Sequence, residues 1–461
     1  MSVRVIPANI PPEDWAATPA SVRAWIDELS RTVQALEERL RNLEHRLNQN
    51  SRNSSQPPAL DRKANQARPA RRRHRGAKRG HAKMERAWVA QPDQVIEAPL
   101  TTCSHCQADL QAVVPEQMVR RQVTELPDVR PLVIETHQAK AHCPFCHALQ
   151  RGTLPAGLEA PRAFGPRLEA TVVYLRHQQH LSSERTSQTL GDLFGLDLSE
   201  GGQASILKRA GAAADPVAET IRVQIQQSAV VGCDETGARL DGRIWWQWVF
   251  VGSDAIYHSI VRRRSASVIQ SVMGDAQVEV WVSDCWKPQL HAPAQHFQLC
   301  LAHQVRNLQG LIDRCPRLPW ARAMQQLFRT AMHLAKRRTQ LTARGFARQV
   351  QRLEWRLDEL LQTEPRRTLA RALFRRFVTH RDKLLVFLHD PRVPFHNNAC
   401  ERALRPAVIH RKVIGGFRSE WGAHAYAALA SVIDTAKLKG QPIFPTLIDL
   451  MGKPILPFFA P

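Results

Sequence analysis

The chain has 461 residues, 43% of them hydrophobic, and a formal net charge of +22. That length allows two or three domains with cores of their own, and the charge excess calls for a polyanionic partner, nucleic acid before acidic membrane. No apolar run reaches the ~18 residues of a spanning helix and the N-terminus lacks signal-peptide form. The expected location is therefore the cytoplasm, with no membrane partner and with the nine cysteines reduced.

Residues 1–20 are Pro-rich and aperiodic. Over 19–50 a heptad follows, with Val22, Ile26, Leu29, Val33, Leu36, Leu40, Leu43 and Leu47 in alternating steps of four and three. Charged residues such as Glu37, Arg39 and Glu44 fill the other faces, which predicts a coiled coil and a homo-oligomer. Residues 51–90 read as a basic disordered linker: NSRNSSQPP, then eleven Lys/Arg against two acids between 61 and 86. Arg71, Arg72, Arg73, Arg75, Lys78 and Arg79 are the candidate phosphate contacts there. Over 91–158, Cys103-Ser-His-Cys106 and Cys143-Pro-Phe-Cys146 bracket a stretch patterned as strands. Two such knuckles can close a tetrahedron on one structural Zn²⁺, so a zinc ribbon is expected. Residues 159–220 read as helices: LSSERTSQTLGDLFG, capped at Ser182 or Ser183 and broken at Gly195, then a second helix capped at Ser199. Helix, glycine turn, helix is the form of a helix-turn-helix, and an ordinary helical hairpin has the same pattern.

The segment VVGCDETGARLDGRIWWQWVF predicts a β-hairpin turning at Asp241-Gly242. A third strand, AIYHSIV, ends in Arg262-Arg263-Arg264. A helix capped by Ser265 and the strand VEVWVSD follow, and HFQLCLAHQVRNLQGLID reads as a helix. Three antiparallel strands, a helix and a strand returning beside the first begin a ribonuclease-H-like α/β layout, placed at 226–440. In it Asp234 and Asp284 project from adjacent strand ends. A basic helical insertion occupies about 315–392. NNACERALRPAVIHRKVIGGF then opens a helix at Asn397 or Asn398, with Glu401 in its first turn, and RKVIGGF reads as a short strand or turn. Residues 441–461 form a C-terminal tail. Arg402, Arg405, Arg411 and Lys412 could clamp phosphates. Strand alternation turns Glu235 away from Asp234, and His303 reads as a core or supporting group rather than a ligand.

CDETGARLDGRIWWQWVF, WVSDCW, QLCLAHQVRNL and NNACERALRPAVIHRKVIGGFRSEWGAHAYAALASV together resemble the transposases of the insertion sequence 66 family. The resemblance runs from about Val22 to the C-terminus and includes the zipper, the linker, the basic arm and the knuckles. It implies a transposase with a catalytic Asp–Asp–Glu triad (a DDE enzyme) formed by Asp234, Asp284 and Glu401. It also implies action on the element's terminal inverted repeats and on target DNA, and accessory proteins of the same element. Such chemistry uses two Mg²⁺ or Mn²⁺ held by hard oxygen ligands, with Asp234 bridging. Cys233 and Cys400 stand where other small residues are expected. A non-catalytic DNA-binding regulator and a nuclease that cuts without joining remain competing readings.

Overall fold

A computed structural model describes residues 11–50, 86–154, 158 and 162–452 of the chain. The arm residues Arg71, Arg72, Arg73, Arg75, Lys78 and Arg79 lie outside the described residues. Helix α1 spans Pro12–Ala17 and α2 spans Ala20–Asn48. With 29 residues α2 is ~43 Å long. Of the eight heptad positions, all but the half-buried Ile26 are exposed, so the apolar stripe lies open in the single chain.

Residues 86–154 contain no buried residue. Strands β1 (Lys140–His142) and β2 (Leu149–Arg151) form a short hairpin around the second knuckle. The stretch from 110 to 139, patterned as strands, forms none. Its apolar residues, Val123, Leu126 and Val133 among them, are exposed. A strand needs a partner and a face to bury, and here neither exists.

From residue 162 the chain acquires a core. Helix α3 (Pro166–Val173) leads to α4 (Ser183–Phe194), where Ser182 caps Arg185 N–H and Gly195 closes the helix in the left-handed region at φ 62°. Helix α5 (Glu200–Gln226) starts on Ser199, which caps Gly202 N–H. It runs unbroken through Pro216. Packing on both sides of the proline, through Ala210, Ala214, Ala218, Ile221 and Ile225, outweighs the one missing hydrogen bond.

Strands β3 (Val230–Leu240) and β4 (Arg243–Val251) form the expected hairpin, with Asp241 and Gly242 at φ 46° and 71°. Strand β5 (Ile256–Val261) extends it, α6 (Ala266–Met273) crosses over, and β6 (Val278–Ser283) returns parallel to β3. Strand β7 (Ala294–Leu299) adds a parallel edge, giving the order β5-β4-β3-β6-β7. The first and fourth strands of the sheet are therefore neighbours, as the ribonuclease-H-like layout requires. Strand β7 occupies HFQL, read from sequence as the start of a helix. Its fully buried Gln298 broke the apolar pattern. The Gln298 side chain is satisfied by Leu384 O and Phe387 N–H, which pins the insertion to the sheet.

Helix α7 (Leu301–Arg314) follows, then α8 (Pro319–Lys336), α9 (Ala343–Gln362) and α10 (Thr368–Thr379), an almost wholly helical insertion with its own apolar core. Helix α11 (Asn398–Ile414) takes in RKVI, so that segment is a last helical turn ended by Gly415 at φ 75° rather than a strand. Helix α12 (Glu420–Leu438) covers the outer edge of β5. There Ser431 Oγ accepts His258 N–H at 2.8 Å, and Thr435 Oγ1 accepts Ile256 N–H at 3.0 Å. An edge left open would template pairing with another chain; here helix hydroxyls satisfy it. Helix α5 approaches α12 so closely that a Cβ at Gly211 would sit 2.4 Å from Ala425 Cβ. Helix α13 (Ile443–Met451), the described part of the tail, completes the same core. So α3 to α5, the sheet and α13 share one core, bolted by a fully buried Glu169 between Arg162 (2.6 Å) and Arg209 (2.5 Å).

Candidate active site

The register between β3 and β6 decides where the acids fall. Gly232 pairs with Val282, and continuing by two residues sets Asp284, just past the end of β6, beside Asp234, which lies within the long β3 rather than at a strand end as expected. Both follow the even-numbered face that carries Gly232 and Val282, and α11 lies on that face. Glu235 faces the other way, as alternation requires.

Glu401 is delivered from α11. The helix can lie flat on the sheet because Gly232 has no side chain: a Cβ there would stand 3.0 Å from both Asn397 Oδ1 and Cys400 Sγ. Asn397 occupies the N-cap position but does not cap through its side chain. Its Nδ2 donates instead to Cys233 O at 2.7 Å, and its backbone N–H donates to Cys300 Sγ at 3.2 Å. The helix start is thereby bolted to both β3 and α7. Cys233, Cys300 and Cys400 are buried thiols whose pKa is raised, chiefly by burial, so they serve as neutral packing groups.

Each acid uses one oxygen within the protein. Asp234 Oδ1 accepts Glu235 N–H and Asp284 Oδ1 accepts Trp286 N–H, both at 2.9 Å. Glu401 Oε1 accepts from Arg306 Nη2 at 3.0 Å, with His303 Nε2 3.9 Å away. For Asp234 Oδ2, Asp284 Oδ2 and Glu401 Oε2 no protein donor is found among the described residues. Burial, together with the charges of Glu235, Asp284 and Glu401, raises the Asp234 carboxyl to about 8 against the pull of the Glu235 amide. A half-buried acid among like charges is what a cation would relieve, and hard carboxylate oxygens suit Mg²⁺ or Mn²⁺. As the side chains stand, no three His, Cys, Asp or Glu among the described residues are close enough to hold a metal ion. Arg306 holds Glu401 in this arrangement.

The triad's surroundings include His303, expected as a core or supporting group, and two arginines to which the sequence reading gave no role at the site, Arg306 and Arg264. Arg306 was visible only as part of QLCLAHQVRNL. His303 is half-buried between the insertion and Glu401; burial and Arg306 lower its pKa, while Asp284 and Glu401 oppose the shift. Its Nδ1 has no partner among the described residues. Arg264 pairs with Glu235 and stacks on two tryptophans. Of the candidate phosphate contacts on α11, Arg402, Arg405 and Lys412 are exposed on the outer face. Arg411 reaches back to β3, with Nη1 3.4 Å from where a Cβ of Gly237 would lie.

The two cysteine knuckles share one geometry. Cys103 N–H donates to Ala108 O and Gln107 N–H to Cys103 O; Cys143 with Ala148 and His147 repeats this, every distance being 2.9 Å. Gln107 and His147 both take positive φ, 63° and 56°. The amides of Cys106 and His105 lower the Cys103 pKa, and those of Cys146 and Phe145 lower that of Cys143, toward the thiolate a metal needs. Each pair is thus prepared as ligands, while the four sulfurs are not gathered into one group.

No helix among the described residues is long and apolar enough to cross a membrane. Residues 162–425 match the model described as "Transposase IS66 family", and residues 9–87 match a family of unknown function, DUF6444. Two proteins of Sinorhizobium fredii, both named as uncharacterized, are similar. Protein y4hP is 27% identical over 412 residues, 78% of this chain and 72% of that protein. Protein y4jO is 35% identical over 80 residues, 17% of this chain and 25% of that one. The family match covers more than half of the chain, beginning just before α3 and ending within α12, and so takes in all three acids: this protein belongs to the IS66 family of transposases.

Proposed function

We propose that this transposase cuts DNA at the terminal inverted repeats of its element and joins the freed ends to target DNA. What supports this reading is that Asp284, just past the end of β6, and Glu401, in the first turn of α11, both act electrostatically on the half-buried Asp234, and that the β3–β6 register sets the two aspartates side by side. Asp234, Asp284 and Glu401 would hold two Mg²⁺ or Mn²⁺ ions through their unengaged oxygens. Such ions supply charge that activates the attacking oxygen and steadies the leaving one. The protein's part is to fix the three carboxylates on a rigid sheet and to hold the DNA. Asn397 and Gly232 keep the α11 start that carries Glu401 against β3 next to Asp234. Arg402, Arg405 and Lys412 face outward at helical spacing, suited to backbone phosphates, and Arg411 would steady the hairpin. The arm with Arg71, Arg72, Arg73, Arg75, Lys78 and Arg79 adds sequence-independent affinity. The α4–α5 pair is a further DNA contact through exposed Arg185 and Lys208.

Two supporting parts belong to the same reading. The open stripe of α2 pairs with that of a second copy as a coiled coil. Cys103, Cys106, Cys143 and Cys146 come together on one structural Zn²⁺. Accessory proteins of the element act with the enzyme in the cell, which the family resemblance alone suggests.

An assay with labelled terminal-repeat DNA, a target plasmid and Mg²⁺ tests the core of the proposal. Both cleavage and joining are expected from the wild-type chain, and neither from Asp284→Asn or Glu401→Gln. Near-normal joining by either variant would remove that residue from the triad. Cleavage without joining would make the protein a nuclease instead.

A further inference from the structure

The two amides that orient the two aspartates belong to Glu235 and Trp286. The side chains of both residues meet on one group, the Arg264 guanidinium. Its Nε and Nη2 donate to Glu235 Oε1 at 2.9 and 2.7 Å. Its central carbon lies 4.4 Å from the Trp286 ring centroid and 4.6 Å from that of Trp246 on β4. We infer that Arg264 is a positioning residue for the active site, holding Asp234 through Glu235 and Asp284 through Trp286. The inference rests on the reading of those aspartates as metal ligands.

The network is closed on the protein side. Glu235 Oε2 accepts from Gln289 Nε2 at 3.0 Å, and Gln289 Oε1 accepts Trp281 Nε1–H at 2.9 Å. With both oxygens engaged and its side chain only 4% exposed, Glu235 is unavailable as a ligand. Its charge next to Asp234 raises that acid's pKa, an electrostatic cost that a mere spacer would avoid. Anchoring Arg264 accounts for that charge. A planar guanidinium can stack between two indoles and bond a carboxylate at once, whereas a lysine ammonium has no face to stack and no fork. A generic stabilising ion pair would tolerate lysine; a device that bonds a carboxylate through its fork while stacking on an indole would not.

The test uses the full chain and four variants: Arg264→Lys, Arg264→Ala, Asp234→Asn and, as an exposed neighbour, Arg263→Ala. Mn²⁺ binding is followed by the paramagnetic signal of free Mn²⁺, and amide exchange is read at Glu235 and Trp286. Both Arg264 variants should bind Mn²⁺ about ten-fold more weakly or worse. They should also exchange those two amides faster, while Arg263→Ala matches wild type in both. Wild-type Mn²⁺ affinity and exchange in Arg264→Lys would overturn the inference, as would faster exchange spread evenly over the domain. If Asp234→Asn and wild type bind Mn²⁺ alike, the ligand reading itself falls, and this inference with it.

Discussion

Residues 86–154 and residues 162–452 both carry acidic or thiol groups suited to a cation, and they stand in opposite relation to it. In the first region the knuckles are shaped, but no residue is buried around them and Val123, Leu126 and Val133 lie open. In the second, Trp248, Trp281 and Phe250 are fully buried before any ion is considered, and Asp234 is held near them within a paired strand. A thiolate site in the first region would create its fold; a carboxylate site in the second is created by its fold. Binding free energy becomes folding free energy only in the first case.

The sharpest way to break this contrast is to remove metal. A strong chelator should abolish DNA cleavage and open residues 86–154 to proteolysis, yet leave the thermal unfolding of the sheet domain in place. If that domain melted as well, the division of labour would be wrong. Next in expected size is Gly211→Leu, which drives a side chain into the Ala425 backbone where α5 meets α12. A cost of about 3 kcal/mol or more is expected, read as a lowered Tm of the sheet domain with the knuckle region unaffected. Acid should act on the same domain. Burial holds His177 at a pKa of about 4, below its ordinary value of 6.5. Above pH 6.5 the ring is neutral folded and unfolded, and contributes no pH dependence. Between 6.5 and 4 the unfolded chain takes up the proton first, so stability falls with pH, by on the order of 3 kcal/mol, and then levels off. A Tm difference between wild type and His177→Gln that stayed constant from pH 7 to 4 would contradict the burial of His177 against Tyr426. Smaller still is Ser431→Ala, which leaves the His258 N–H on the β5 edge without its acceptor, at about 1–2 kcal/mol by denaturant titration. Gly232→Ala sharpens the comparison differently. It should displace α11 by a few tenths of an ångström, lowering Mn²⁺ affinity and cleavage while the Tm moves little.

Much of the sheet domain was legible in sequence because its signals are local and repeated. The hairpin from 230 to 251 carries alternation, β-branched residues and an Asp-Gly turn, and Ser182, Ser199 and Gly195 mark the helix ends they actually cap. Strand β7 was missed because a buried glutamine at 298 is apolar in role and polar in type. Residues 411–414 read as strand-like, yet they continue α11 because the helix is packed along β3 and β4. The expected strands between 110 and 139 failed for the opposite reason: a correct pattern had nothing to pack on.

The sequence by itself determined which acids were candidates, that Glu235 would turn away from Asp234, and that a basic chain of this family acts on DNA. Only the tertiary structure decided what surrounds those acids. That Arg306 would hold Glu401 from 95 residues away, and that Arg264 would brace both aspartates through Glu235 and Trp286, depended on sheet register and helix packing. Spacing along a chain fixes the face on which a side chain lies, but not which distant residue meets it there.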